Sequence, residues 1–230
     1  MDNISFSNQL TLVNYKPLDD EKILVFYSSS ARRFFIDNYP HPLFHNKRSD
    51  GKSLARGSRI QFKVINGELY ILGIGEGAEF LESFHWPDQI TFPIGYTGKK
   101  IIMSKYLVDV INADFEETDF MSYRTLTPYL ALNQSAYEHF KELGEDERRI
   151  FIEQRLQNHI LSAAKWCGVW LNHRVKTQLI QMRRVKSVEV KKSLKFVGMD
   201  VMFETNTHIP DFIGIGRFVS RGYGTVVKYG

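Results

Sequence analysis

Residues 59–84 read RIQFKVINGELYILGIGEGAEFLESF. Two runs of strand-forming residues span 59–74 and meet at Asn66-Gly67. Asn-Gly between apolar runs is the strongest short-range hairpin signal, because both residues accept the positive φ that a tight turn demands. Residues 76–84 then read as a short helix. The stretch is therefore strand, strand, helix. Working outward, QLTLVNYK (9–16) alternates like a strand, and SSSARRFFIDNY (28–39) reads as a helix opened by serine caps and stopped by Pro40 and Pro42. Downstream, KKIIMSKYLVDV (99–110) reads as a strand. The order β-α-β-β-α-β is the split βαβ pattern of ferredoxin-like domains.

Past this unit, NADFEETDFM (112–121) is polar and acidic and reads as a seam between two domains, 1–112 and 113–230. The second half runs as a looser copy. A strand is expected at 123–132, bent or edge-placed by Pro128, and a helix at 133–143 with an asparagine cap. A longer helix follows at 145–169, with Ile152, Leu156, Ile160 and Ala163 or Ala164 on one face and acids in its first turn. Two strand-rich segments and a glycine-rich C-terminal segment complete the chain. The fold class expected is α+β.

With 230 residues, 43% hydrophobic and 13% aromatic, the chain can build packed cores. It lacks the run of about 18 apolar residues that a membrane helix requires. The first ten residues carry an acid and polar groups where a signal peptide starts basic and turns apolar. A cytoplasmic protein with no membrane association is expected. The single cysteine, Cys167, excludes an intramolecular disulfide and a Cys-rich zinc site.

The charge is unevenly placed. Arg174, Lys176, Arg183, Arg184, Lys186, Lys191, Lys192 and Lys195 face one acid, Glu189, within a single segment. That segment carries +7 and leaves −3 for the rest of a chain whose total is +4. Such local basicity is the footprint of a polyanion-binding face, or else of a Lys-rich strand blunting a sheet edge.

Three constellations could carry chemistry. GIGEGA (73–78) matches G-x-G-x-x-A, but its strand arrives from a hairpin and no acid-ended strand lies about 20 residues on. It reads as a tight turn. A nucleotide-dependent enzyme built on it ranks behind the readings below. Among seven histidines, His41 and His45 sit in a loop with Lys47, Arg48 and Lys52. An imidazole titrating near neutrality among cations suits phosphate chemistry. The third is DFIGIGRFVSRGYGTVVKYG (211–230). Gly214, Gly216, Gly222 and Gly224 would let the backbone approach an anion. Arg217, Arg221 and Ser220 would hold it, and Tyr223 or Phe218 could stack on bases.

Together these pieces resemble the RAMP-type CRISPR repeat-processing endoribonucleases, the sixth Cas protein family. IGIGRFVSRGYGTV (213–226) is similar to the family's C-terminal glycine-rich motif. IQFKVINGELYILGIGEGAEFL (60–81) and LFHNK (43–47) resemble the N-terminal domain of one branch. The resemblance implies two tandem ferredoxin-like domains with a C-terminal glycine-rich loop. It also implies cleavage of precursor CRISPR RNA within each repeat, without metal or cofactor. The ribose 2′-OH would attack the adjacent phosphodiester and leave a 2′,3′-cyclic phosphate and a 5′-OH. His45 inherits the proton-transfer role, with His41 as second choice. Lys47 and Lys52, with Arg48, become candidates for stabilising the transition state, and Tyr39 for positioning. Where the pattern has a second histidine after the asparagine, this chain has Lys47, so the acid/base partner of His45 stays unassigned. RNA contacts are expected from Arg48, Arg183, Arg184, Lys186, Lys191, Lys192 and the glycine-rich segment. Repeat RNA is the implied partner, other Cas proteins of an interference complex are further ones, and monomer and homodimer both stay open. The competing reading is a non-catalytic RNA-binding RAMP subunit.

Overall fold

A computed structural model describes residues 9–19, 22–45, 57–94, 99–191 and 194–230. The chain forms two compact units. The first comprises Met1–Ala113 with Trp166–Gly168 and Ser220–Gly222; the second comprises Asp114–Lys165, Val169–Val219 and Tyr223–Gly230.

The first unit carries strands β1 (Gln9–Pro17), β2 (Ile60–Ile65), β3 (Glu68–Ile74), β4 (Gln89–Pro93) and β5 (Lys100–Asn112), with helices α1 (Ser28–Asn38) and α2 (Glu76–Ser83). Its antiparallel sheet has the order β2-β3-β1-β5-β4. Removing β4 leaves the ferredoxin-like order, with β5 as the fourth strand. The Asn-Gly hairpin forms as its sequence dictates: Ile65 faces Glu68, and Asn66 and Gly67 take φ of 52° and 88°. Alternation on β2 sends Ile60, Phe62 and Val64 into a core with Tyr15, Phe35, Phe44, Trp86 and Phe92.

Two readings of this unit need correction. QITFP (89–93) is a strand hairpinned onto β5, one that the order β-α-β-β-α-β leaves out. Its alternation is clear, with Ile90 and Phe92 buried, but Pro87 and Pro93 bracket only five residues and mask it. The serines also do not cap α1. Its N-cap is Tyr27 without a side-chain bond, and the single proton of the Ser28 hydroxyl is instead shared between the carbonyls of Val25 (2.7 Å) and Arg221 (2.5 Å).

The glycines of GIGEGA serve close packing. A Cβ on Gly73 would lie 2.5 Å from the Gly77 carbonyl oxygen, and one on Gly77 2.1 Å from that of Arg59. Glycine is what lets α2 settle against the strands.

The second unit carries β6 (Glu117–Thr125), α3 (Gln134–Glu142), α4 (Glu145–Trp166, its last residue lying in the first unit), β7 (Thr177–Lys191), β8 (Leu194–Thr207) and β9 (Val226–Lys228). Its sheet order, β7-β8-β6-β9, repeats the arrangement of the first. Between β8 and β9 stands no α-helix. The glycine-rich segment occupies that connection, with one 3₁₀ turn at Val219–Arg221. Asn133 caps α3 as read, accepting from the Ala136 N–H at 2.8 Å. The α4 face buries Ile152, Leu156, Ile160, Ala163 and Ala164.

The first strand of this unit lies earlier than its sequence suggests. β6, Glu117–Thr125, starts within what reads as a polar seam and ends in the first residues of the expected strand. Past Thr125 the backbone leaves the ladder, and only Tyr129 returns to bridge Met199. Pro128 has no N–H to give a ladder, and the exposed Glu117 and Phe120 hide the alternation. Among the described residues no helix is long and apolar enough to cross a membrane.

Candidate active site

The chain leaves α1 through Tyr39, whose N–H donates to the Phe35 carbonyl at 2.9 Å. Prolines 40 and 42 forbid further helix, and Pro42–His45 closes as a 3₁₀ turn. His41 and His45 are thus four residues apart on a tight turn, not one above the other on an α-helix. His41 stacks flat on Phe80, centroids 4.0 Å apart and planes 7° off parallel. Its Nδ1 accepts from the Leu43 N–H at 3.4 Å, and its carbonyl accepts from the Phe44 N–H at 3.1 Å. Burial holds this imidazole below its ordinary pKa, opposed in part by Glu76. His41 is therefore neutral at pH 7, with its proton on Nε2. His45, at the end of the turn, is exposed. Tyr39 is half-buried against Phe34, Phe35 and Phe84. Lys47, Arg48 and Lys52 lie outside the described residues.

A cation absent from the sequence reading flanks this turn. Arg32, one helical turn past Ser28 on α1, donates from Nε to the carbonyl of Phe44 at 3.2 Å. Burial lowers its pKa, and the neighbouring Arg221 lowers it further. Arg221 reaches this place because Ser220–Gly222 belong to the first unit. There Ser28 binds the Arg221 carbonyl, and Gly222 presses against β2. At φ +84°, a Cβ on Gly222 would stand 2.7 Å from the Phe62 carbonyl oxygen and 3.0 Å from Lys63 Cα. Lys63 is itself fully buried, and burial pushes its ammonium down to about 7. Neither Arg32 nor Lys63 carries a sequence signal, since each reads as one more surface cation.

The glycine-rich segment differs from the expected display of amides. Gly214, Gly222, Tyr223 and Gly224 are buried. The Gly224 N–H donates to Pro128 at 3.0 Å, and its carbonyl accepts from Ile215 at 2.9 Å. Tyr223 packs with Leu130 and Val190, and Phe218 lies edge-on to Phe196 at 4.9 Å. Tyr223 therefore builds core and does not offer a face to a base. The groups left toward solvent are Arg217, exposed, and Gly216, Ser220 and Arg221, half-buried.

On β7, Arg183 is exposed and stands across from Asp200 in the ladder. Arg184, Lys186 and Lys191 lie on the same strand by backbone, with Arg184 across from Met199 and Lys191 across from Leu194. Lys192 lies outside the described residues. Among the described residues no group of three His, Cys, Asp or Glu could hold a metal ion.

Comparison with known proteins spans nearly the whole chain. Residues 9–108 match the Cas6b N-terminal domain and residues 115–229 the Cas6b C-terminal domain. A crystal structure of Cas6b is 30% identical, with 96% of this chain and 100% of that one covered and a TM-score of 0.78. A second, of a CRISPR RNA processing endoribonuclease Cas6b, is 28% identical over the same shares, with a TM-score of 0.68. A protein of Methanocaldococcus jannaschii is 34% identical over 110 residues, 48% of this chain and 74% of its own.

Proposed function

The chain belongs to the Cas6b family, and on that premise we propose that it processes CRISPR RNA, cutting precursor transcripts within their repeats without a metal ion. The observation that carries this reading is the convergence at the Pro42–His45 turn. Arg32 is bonded to the Phe44 carbonyl, Arg221 stands beside Arg32, and an exposed imidazole, His45, follows Phe44.

Cleavage by an internal nucleophile needs a proton acceptor, a proton donor and cations around the phosphate. His45 takes the proton from the ribose 2′-OH. The resulting oxyanion attacks the adjacent phosphorus in line, and the bond to the 5′-oxygen breaks. That oxygen leaves with a proton from a second acid. The products are a 2′,3′-cyclic phosphate and a 5′-OH. Arg32 and Arg221 offset the negative charge that builds on the phosphorane. His41, with Nδ1 engaged, holds the turn in shape and presents Nε2–H as a donor. The basic strand β7 and Arg217 bind the repeat backbone, and a cytoplasmic site of action follows from the substrate. Other Cas proteins of an interference complex are the natural recipients of the product.

The test is incubation with repeat RNA in EDTA. Cut product ending in a cyclic phosphate is expected, and RNA with 2′-deoxyribose at the cut position should stay whole. H45A should lose at least about 100-fold in rate with binding kept. RNA retained but uncut by the wild type would make the protein a binding subunit, and an unchanged rate in H45A would remove His45 from the chemistry.

A further inference from the structure

A second cationic feature lies within the second unit. Tyr129 Oη and His159 Nδ1 are 2.5 Å apart, and Tyr129 is fully buried. Burial raises the phenol's pKa, so it stays protonated and donates. Burial, aided by Arg155 and Arg217, holds His159 down to about 4, so its Nδ1 accepts. The pair forms a fixed floor. Gly216 rests on it so closely that a Cβ there would lie 2.8 Å from Tyr129 Cε2. The next residue, Arg217, is pinned by its N–H to the Leu130 carbonyl at 3.1 Å.

Two arginines flank this floor, Arg155 on α4 and Arg217 on the glycine-rich segment. Arg155 precedes His159 by one turn on α4, and its guanidinium lies 4.7 Å from the Phe151 ring centroid. The Arg217 guanidinium stands 6.0 Å from the Phe196 ring centroid. Among the described residues neither arginine belongs to an ion pair. Arg217 is exposed and Arg155 half-buried. Each guanidinium fork matches phosphate oxygens, and an anion seated over the neutral pair between them would draw on both charges.

We propose that Arg155 and Arg217 together bind a single phosphate of the RNA, on the floor that Tyr129 and His159 provide. The proposal rests on the RNA-processing reading and adds a helix residue to it. The site reads the backbone and not the base, so it sets the register of the strand without selecting sequence.

The experiment measures binding of repeat RNA blocked by 2′-deoxyribose at the cut position, for wild type, R155A, R155K, R217A and the double variant R155A/R217A. R155A and R217A should each lose roughly tenfold in affinity, the scale of one charge-assisted contact. R155K should recover only part, since lysine has no fork. The double variant should lose clearly less than the product of the two single losses, because both arginines hold one phosphate. R155A within about twofold of wild type, or losses that multiply in full, would overturn the site. If R155A melts early, R155K carries the test, and R155K equal to wild type overturns the site. A wild type that neither cuts nor retains repeat RNA overturns the underlying function as well. A wild type that does both, beside unaffected Arg155 variants, overturns this site alone.

Discussion

Gly222→Ala is the sharpest probe of how the C-terminal segment serves the histidine turn. The position has φ +84°, where an L residue costs about 1–2 kcal/mol. The added Cβ would sit 2.7 Å from the Phe62 carbonyl oxygen, where ordinary contact begins at 3.4 Å. Both that oxygen and Lys63 Cα are backbone of β2, a buried edge strand held by its ladder to β3, so they do not yield. The segment must instead withdraw by about 0.7 Å, the difference between those distances. Misplacement on the order of 1 Å near reacting groups can cost about 100-fold, and Arg221 rides on the segment that moves. We expect single-turnover cleavage under saturating RNA to fall about 30- to 100-fold, with a modest drop in melting temperature. Gly144→Ala is the control, since a Cβ there meets nothing nearer than Glu147 Oε2 at 3.5 Å. Wild-type cleavage by G222A would refute the idea that Ser220–Gly222 position the catalytic cations.

Two further outcomes follow from buried ionisable groups. His159 is held at about 4 in the folded chain against an ordinary value of about 6.5, so the unfolded state binds more protons between those limits. Its contribution is complete above about pH 6.5 and drains away as pH falls toward 4, by up to on the order of 3 kcal/mol. Melting curves of H159Q should be flatter than wild type across that window; parallel curves would show that His159 titrates normally. Lys63 is fully buried with its ammonium at about 7, so at neutral pH the fold already bears most of the cost of discharging it. K63M should raise the free energy of unfolding by on the order of 1–4 kcal/mol, and a lower value would mean that the amine is held by bonds worth more than its burial costs.

The fold was legible where local rules are strong. Asn66-Gly67 dictates its own turn, and the 3.6-residue spacing on α4 survives any context. The end of α1 could also be read, because Pro40 and Pro42 stop the helix, but the 3₁₀ turn that follows reads only as loop. Legibility failed where long-range packing decides. Arg32 looks like a solvated helix residue until the Phe44 carbonyl comes within 3.2 Å. Tyr223 looks like a stacking platform until Leu130 and Val190 close over it. The residues of β6 reveal a strand only once β8 and β9 supply their partners.

The first unit is discontinuous in sequence, and this has a consequence for its birth on the ribosome. Ser220–Gly222 are made 107 residues after Ala113. At roughly 5–20 residues per second, that is a delay on the order of ten seconds. Through that interval Ser28 has no Arg221 carbonyl to bind, and Arg32 has no second guanidinium beside it. A nascent or prematurely ended chain thus exposes a histidine turn without its full cationic setting. On the proposed mechanism, cleavage therefore waits until Ser220–Gly222 have been made, a delay written into the order of the segments.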